Sequence, residues 1–162
     1  TREKDLEVLF DFWSDIENRG DHFPIWLTSE PKFKENFNKD GFWGEDEGSL
    51  LVVDKDDRIW GEIFYFKTVP YYDSLEIAYI LFERDGRNKG MMSEALSLFV
   101  RFLFDSKKIN RLELAIDPNH VASRRVAEKC GFKSEGVARQ AAFIKGRHLD
   151  MERFSVLREE AE

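Results

Sequence analysis

The stretch Arg87-Asn88-Lys89-Gly90-Met91-Met92-Ser93-Glu94-Ala95-Leu96 decides the fold of this chain, because it is a basic, glycine-containing turn that runs directly into a helix. A glycine lets the backbone approach a ligand closely, and the N–H groups at a helix start have no partner within the helix. The helix dipole adds partial positive charge at the same end, so an anion such as a phosphate is favoured there. Taken alone, such a turn is more often a plain connector, so the rest of the chain has to decide between the two.

Length and composition predict one soluble, folded domain over residues 1–162. The chain has 162 residues and a mass of 19.1 kDa, of which 42% are hydrophobic and 35% are charged. That balance supplies a core and a solvated surface, and it argues against disorder. No apolar run reaches the roughly 18 residues that span a bilayer, and the first residues lack the apolar core of a secretory signal. We therefore expect a cytoplasmic protein with no membrane partner.

Charge and cysteine content narrow the function classes further. A single Cys130 excludes an internal disulfide, and three scattered histidines give no zinc ligand set, so we expect no metal. The formal net charge of −7 disfavours a general nucleic-acid binder and favours cationic partners such as amines. The acidic segment 40–48 is expected to be a loop, which either attracts a cationic substrate or is simply solvated.

Hydrophobic periodicity and turn residues predict a mixed α+β (α/β mixed) domain with a mostly antiparallel sheet and one βαβ-like crossover. The aromatic link at 22–27 is expected to cover the core rather than to bind a ligand. Asn119 is the predicted N-cap of the helix at 121–130, whose inner stripe is Ala122, Val126 and Cys130. The predicted helices cover residues 3–18 (inner face Leu6, Leu9, Phe10, Trp13 and Ile16), a segment from Ser29 onward, 92–105 and 121–130. The predicted strands cover 50–54, 59–67, 75–82, 111–117, 132–136, 141–145 and 150–157, with a turn at 146–149.

The quoted stretch and a second block make the chain resemble the GCN5-related N-acetyltransferase (GNAT) superfamily, and within it the RimJ/RimL-like branch. The acyl-CoA signature of that family is Arg or Gln, two residues, Gly, one residue, and Gly or Ala. Arg87, Gly90 and Met92 occupy these positions, with Met92 larger than the usual residue. The second block runs from Asp117 to Gly136. The resemblance implies the GNAT fold, with a central sheet splayed at an acyl-CoA cleft and flanked by helices.

The resemblance also implies where acetyl-CoA binds. Its pyrophosphate is expected on the N–H groups of residues 87–92, and its pantetheine arm along the strand that ends at Leu81. A main-chain N–H near 79–81 is expected to face the thioester carbonyl as the oxyanion donor. His120 stands where the branch has Asn, so whether Asn119 or His120 holds the cofactor is open. The cofactor-binding residues implied are Ile80, Leu81, Phe82, Arg87, Asn88, Lys89, Gly90, Met91, Met92, Asn119 and Ser123.

Two residues are candidates for catalysis. Glu76 is a carboxylate within an apolar strand, fourteen residues before Gly90, and that spacing matches the general base of histone acetyltransferase relatives. The alternative is a strand-end Glu that faces water or an arginine. Ser123 matches the Ser of the ribosomal-protein branch and is the candidate acid, and its alternative is a bond to backbone or pantetheine.

Two departures from the family limit the mechanism. Ala127 stands where many members have a tyrosine acid, and Ala142 stands where the ribosomal branch has the Glu that partners its Ser. Cys130 is expected to pack in the core rather than to act as a nucleophile.

The resemblance implies an N-acetyltransferase that moves acetyl from acetyl-CoA to a primary amine by direct attack in a ternary complex. The acceptor is either a protein N-terminus or Lys, or a small amine such as a polyamine or an aminoglycoside, and Ala142 tilts the choice away from strict ribosomal substrates. The alternative functions are a non-catalytic GNAT-fold module that binds acyl-CoA, and a globular α+β domain without either property. A homodimer is left open as the quaternary state.

Overall fold

The computed structural model describes residues 1–82 and 89–161. Its helices are α1 Leu6–Ser14, α2 Glu30–Asp40, α3 Met91–Ser106 and α4 Val121–Lys129, with short 3₁₀ turns at Glu3–Asp5, Ile16–Arg19 and Arg158–Glu160. Its strands are β1 Glu47–Val53, β2 Ile59–Phe66, β3 Ser74–Leu81, β4 Arg111–Ile116, β5 Lys133–Ile144 and β6 Arg147–Leu157. No helix within these ranges is both long and apolar enough to cross a membrane.

The strands form one six-stranded sheet in the order β1-β2-β3-β4-β6-β5. Every neighbouring pair is antiparallel except β3 and β4, which are parallel. Parallel neighbours need a crossover connection, and α3 provides it. The predicted mixed α+β class, with a mostly antiparallel sheet and one crossover, is confirmed.

The core lies between α3 and one face of the sheet, which we call the α3 face. Leu96 and Leu103 of α3 are fully buried, and Phe99 between them is 3% exposed. Their helical spacing puts them on one stripe, and each such side chain contributes about 1.5–3 kcal/mol when fully buried. The sheet residues in the same cluster include Ile63, Tyr65, Leu75, Ile77, Leu112, Leu114, Ile116, Phe154 and Val156.

The opposite face of the sheet, which we call the α1 face, is partly covered by α1. Trp13 Nε1 donates to Glu62 Oε2 at 2.8 Å, and the ring of Phe12 stacks on Phe82 at 3.8 Å between centroids. Phe12 was absent from the predicted inner face, whereas Ile16, which was included, is 41% exposed. The reason is a break at Asp15, whose extended backbone ends α1 and whose side chain caps the 3₁₀ turn that follows.

The C-terminal hairpin also corrects the sequence prediction. The strands predicted at 132–136 and 141–145 are one continuous strand, β5, with register shifts near 134–136 and 138–142. The turn predicted at 146–149 consists of only two residues, Lys145 at φ 48° and Gly146 at φ 79°. Two positive φ angles are typical of the tight hairpin turn that matches strand twist. Similarly, β1 begins at Glu47, inside the segment predicted as a loop.

α4 begins at Val121, as predicted, but its N-cap is a different residue. His120 rather than Asn119 occupies the N-cap, because the side chain of Asn119 is used in the preceding turn. The buried residues of α4 are Ser123 and Ala127, and Ala122 of the predicted stripe is exposed. The inner face of α4 is therefore rotated by one residue, which brings the hydroxyl of Ser123 inside.

Candidate active site

A gap between β3 and β4 is the central feature of the site. The two strands pair over three residues each, from Ser74 with Arg111 to Glu76 with Glu113, and their described pairing ends there. The remainder of β3, from Ile77 to Leu81, continues beside β2 but not beside β4. The strands therefore splay toward their C-terminal ends, as the resemblance implied.

The direction of the backbone groups along β3 follows from one hydrogen bond. Phe82 N–H donates to Trp60 O at 2.9 Å, so the residues of β3 at even positions direct their N–H and C=O groups to β2. Tyr79 and Leu81 lie between those positions and direct theirs into the gap.

Of the three predicted ligands on this strand, only Leu81 therefore presents its backbone N–H to the gap. Those of Ile80 and Phe82 lie on the β2 side.

The same argument orients β4. Arg158 N–H donates to Asn110 O at 3.0 Å, so alternate residues of β4 pair with β6, and Ala115 directs its backbone into the gap. The gap is thus lined on both sides by backbone donors and acceptors. An extended ligand that carries amide groups can pair with them as an added strand does.

The N-terminus of α3 is the next described feature of the chain after β3 and Phe82. Gly90 is its N-cap at φ 78°, a conformation that favours glycine, and the first bond within the helix runs from Glu94 N to Gly90 O at 3.0 Å. The N–H groups of residues 91–93 precede that bond, so they have no carbonyl partner within the helix. A cavity of about 320 Å³ opens there, lined by Lys89, Gly90, Ser93, Glu94, Ser97 and Lys129.

These residues fit the pyrophosphate of an acyl-CoA. Two lysines, Lys89 and Lys129, border a helix N-terminus, and cations beside free N–H groups are what an anion requires. Met92 is 5% exposed and belongs to the core, so this predicted ligand can offer only its backbone. Met91 also packs against the core. The predicted ligands Arg87 and Asn88 lie outside the described residues.

Ser123 of α4 meets a residue that sequence reasoning missed as a side-chain contributor. Its Oγ lies 2.9 Å from the hydroxyl of Tyr79 on β3, which also donates to Ser123 O at 3.2 Å. Burial raises the pKa of Tyr79, while the bond with Ser123 opposes that rise, so the phenol stays protonated at neutral pH. Ala127 of α4 stands where many family members have a tyrosine, and Tyr79 of β3 brings a phenol to the site instead. A Tyr in an otherwise apolar strand was the signal that could have identified it.

The residues just before α4 hold a tight turn. Asp117 accepts hydrogen bonds from the backbone N–H of Asn119 at 2.9 Å and from its side-chain amide at 3.0 Å. The amide of Asn119 is therefore engaged in the turn, although Asn119 was predicted as a cofactor ligand. Cys130 donates its S–H to Ser93 O at 3.2 Å, and burial raises the pKa of its thiol, which is the behaviour of a packed cysteine.

On the α1 face, the strand register determines which side chains border the gap. Phe64 of β2 stands opposite Ala78 of β3, and Ala115 of β4 stands opposite Arg153 of β6. Because side chains alternate along a strand, these four residues share the face that carries Glu76. Ala78 and Ala115 border the gap, and their short side chains form a shallow surface, which we call the floor.

Glu76 lies at the closed end of the gap. Its carboxylate accepts from Arg153 Nη1 at 3.0 Å, and Arg153 Nη2 donates to Glu113 at 2.7 Å. Burial raises the pKa of Glu76, and the charge of Arg153 opposes that rise without cancelling it. The alternative of a Glu that faces an arginine therefore describes its contacts. Arg111 extends the network by bonding both Glu113 and Glu135.

The loop after α1 reaches the other end of the gap. His22 Nδ1 lies 2.8 Å from Asp117 Oδ2, and the ring of His22 stacks on His120 at 4.1 Å between centroids. Burial opposes ionisation of Asp117, but its bonds with Asn119 and His22 prevail and lower its pKa. The site consequently contains an imidazole held by an anionic carboxylate.

Arg19 is only 3% exposed, and its hydrogen bonds hold the same loop in place. Its guanidinium donates to the carbonyls of Trp13 at 2.6 Å, Trp26 at 2.5 Å and Pro24 at 3.4 Å. Phe23 contacts Trp13, as a core-covering residue does, but Ile25, Trp26 and Leu27 are 43, 56 and 67% exposed. The segment 22–27 therefore covers the core only in part and also borders the site.

Comparisons with known proteins agree with this geometry. The family described as "Acetyltransferase (GNAT) domain" matches residues 1–133. The "Probable N-acetyltransferase YjcK" of Bacillus subtilis is 30% identical over 128 residues, which cover 78% of this chain and 67% of that protein. The "Ribosomal-protein-serine acetyltransferase" of Escherichia coli is 26% identical, covering 63% of this chain and 56% of that protein.

A solved structure matches over nearly the whole chain. The spermidine N-acetyltransferase of Vibrio cholerae, in complex with CoA and spermine, superposes with a TM-score of 0.82. The match covers 99% of this chain and 94% of the other at 20% sequence identity. At that identity the likeness concerns the fold. Within residues 1–82 and 89–161, no cluster of His, Cys, Asp and Glu could hold a metal ion.

Proposed function

We propose, for a chain that belongs to the GNAT family of acetyltransferases, that it transfers the acetyl group of acetyl-CoA to a small primary amine by direct attack in a ternary complex. The chain is an acyl-CoA-dependent N-acetyltransferase, and the GNAT fold binds acetyl-CoA. The observation that carries the finer proposal is the gap between β3 and β4, beyond the three residues over which the strands pair. The α3 face offers an anion site and the α1 face offers carboxylates.

When bound, acetyl-CoA supplies a thioester whose carbonyl is open to an amine. Lys89, Lys129 and the N–H groups at the start of α3 would hold its pyrophosphate, together with Arg87 and Asn88 as predicted ligands. The backbone groups of Tyr79, Leu81 and Ala115 would pair with the amide groups of its arm. One of the two N–H groups on β3 would also face the carbonyl oxygen and stabilise negative charge on it.

The acceptor would lie on the α1 face, over the low floor formed by Ala78 and Ala115. Glu76, Glu113 and Asp117 lie around this floor, and Arg153 offsets only part of their negative charge, so the balance favours a cation. The formal net charge of −7 favours the same class of partner. The Vibrio cholerae structure with spermine supports a small-molecule amine, whereas a protein N-terminus or Lys is the second candidate. A homodimer, a cytoplasmic location and the absence of nucleic-acid binding stay predictions.

Ser123 is the proposed proton donor to the leaving sulfur. Its hydroxyl and that of Tyr79 form a pair on the α3 face, so a proton given by Ser123 can be replaced from Tyr79. Glu76 stays a prediction as the base, and it must act while bonded to Arg153.

The test combines CoA binding with turnover. In calorimetry, Gly90→Val should weaken CoA binding about 5- to 30-fold, because the left-handed backbone costs a branched residue roughly 1–2 kcal/mol. Gly146→Val is the matched control, since Gly146 has nearly the same φ in a distant hairpin turn. The unaltered protein should release CoA thiol with spermidine, a free-N-terminal peptide or an aminoglycoside. CoA binding without turnover on any amine would instead support the non-catalytic module.

A further inference from the structure

A proton acceptor that sequence reasoning did not assign lies on the α1 face. His22, from the loop after α1, meets Asp117 and His120, from the turn before α4, beyond the C-terminal end of β4. A carboxylate only accepts hydrogen bonds, so the proton of His22 lies on Nδ1 and is donated to Asp117. In the neutral ring, Nε2 therefore carries the lone pair. Within the described part of the chain, Nε2 has no hydrogen-bond partner, and 31% of the His22 side chain is exposed.

The position of this imidazole follows from the strand. Asp117 comes directly after β4 and is two residues beyond Ala115, whose backbone faces the gap. Alternation along an extended strand puts both side chains on the α1 face. His22 is consequently on the side from which the proposed acceptor amine would approach.

The loop that carries His22 is held before any ligand binds. Arg19 binds three carbonyls of the surrounding chain, and Asp21 forms an ion pair with Lys145 of the C-terminal hairpin at 3.4 Å. His120 covers one face of the ring, and Asp117 fixes its edge. A base that is positioned by a carboxylate and by packing loses little freedom on reaction.

We infer that His22, oriented by Asp117, accepts the proton of the amine, directly or through one water. This rests on the proposed function. The ammonium gives its proton to Nε2, and the freed lone pair forms the C–N bond with the acetyl carbon. The C–S bond breaks with its electron pair on sulfur, which takes the proton of Ser123. The nitrogen, now part of an amide, gives its second proton back to the Ser123–Tyr79 hydroxyl pair, so that pair is restored. The imidazolium charge is balanced by Asp117, so the cycle closes when the proton leaves to solvent.

The contacts favour His22 over Glu76 in this role. The carboxylate of Glu76 is bonded to Arg153, and its side chain is only 13% exposed. A proton taken up by Glu76 would disrupt its ion pair with Arg153, whereas a proton on Nε2 of His22 leaves the bond between His22 and Asp117 in place.

Turnover of histidine variants tests the inference. At neutral pH, His22→Gln should lower kcat/KM for the best amine about 100-fold, which is the lower end for loss of a general base. His148→Gln is the matched control, since His148 is exposed on the hairpin and contacts Phe143. The CoA affinity should be unchanged in both variants. Added imidazole should restore turnover in His22→Ala, which a merely structural role would not allow.

The pH profile and a spectrum give independent readouts. The low-pH limb of kcat/KM should disappear in His22→Gln and persist in Glu76→Gln. Asp117 and His120 face His22, and the ion pair of Asp21 with Lys145 lies beside it. The variants leave these four residues unchanged. In ¹⁵N spectra of the histidine rings of the free protein, Nδ1 of His22 should carry a proton, because it donates to Asp117.

The outcomes separate the two proposals. If the unaltered protein acetylates no amine, the proposed function fails and the role of His22 as base fails with it. If the protein is active and His22→Gln keeps its rate and pH limb, only the role of His22 is overturned. That role is equally overturned if imidazole gives no rescue or if the spectrum shows Nδ1 without a proton.

Discussion

The two sides of the gap are built differently. On the α3 face, the anion site and the hydroxyl of Ser123 belong to short segments at the starts of two helices, α3 and α4. On the α1 face, His22, Glu76, Asp117 and Arg153 belong to four separate segments. A local segment carries its own geometry in helix caps and turns, whereas an assembled cluster exists only once the sheet has formed. The proposed cofactor side therefore has a local pattern in the sequence, and the proposed acceptor side has none.

The two sides also differ in what supports them. Ser123 lies one turn before Ala127, which is fully buried against the core, so its position depends on the main hydrophobic cluster. His22 is on a loop whose neighbours at 25–27 are exposed, and its position depends on Arg19. We expect the cofactor side to be rigid and the acceptor side to be the part that changes between relatives with different amines.

The largest expected effect tests the α3 side. Ser123→Ala should lower kcat about 100-fold, because loss of a general acid typically costs that factor or more. Tyr79→Phe should cost less, since the Ser123 hydroxyl is still present. Ser106→Ala, at the end of α3, is the matched control. Steady-state kinetics at saturating acetyl-CoA measures both effects. Full activity in Ser123→Ala would leave the hydroxyl pair without a catalytic role and shift the chemistry to the α1 face.

An intermediate effect tests the support of the α1 side. Arg19→Met removes three hydrogen bonds from a charged donor, so the free energy of unfolding should fall by about 2 kcal/mol. The KM for the amine should rise while the CoA affinity is retained, because only the His22 loop is released. Arg125→Met, on the exposed side of α4, is the control. Urea unfolding and calorimetry with CoA measure the two quantities. A parallel loss of CoA affinity would show that the two sides are coupled.

The sequence allowed the helices and most strands to be predicted, because each rests on a local pattern. The periodicity of α3 and the apolar run of β3 determine their own secondary structure. β5 failed because it is an edge strand exposed on both faces, so residues 137–140 show no alternation of polar and apolar side chains. The predicted cap of α4 was wrong because the side chain of Asn119 donates a hydrogen bond to Asp117 instead.

The acceptor side could not be predicted for a different reason. Its contacts join residues separated by 95 positions, as in His22 with Asp117, or by 77, as in Glu76 with Arg153. Nothing near His22 in sequence marks it as a base, and its segment has the composition of an aromatic cover. Glu76 stands out in the sequence because its neighbours are apolar. Its partner Arg153 comes close only because β6 pairs with β4 in the folded sheet.

The smallest expected effect concerns Glu62, which anchors α1 to the sheet through Trp13. Burial raises the pKa of this carboxyl, although bonds from Ser49 and Trp13 oppose the rise. Its folded-state pKa lies above its unfolded value, so its stabilising contribution is complete below the unfolded value and is lost as the pH rises through the folded one. Glu62→Gln still accepts from Trp13 but does not ionise, so its gain in unfolding free energy over the parent should be larger at about pH 8 than at about pH 4. Urea titrations at both pH values measure the difference in unfolding free energy, with Glu128→Gln at an exposed position as the control. An equal difference at both pH values would mean that Glu62 does not carry the pH dependence of the α1 side.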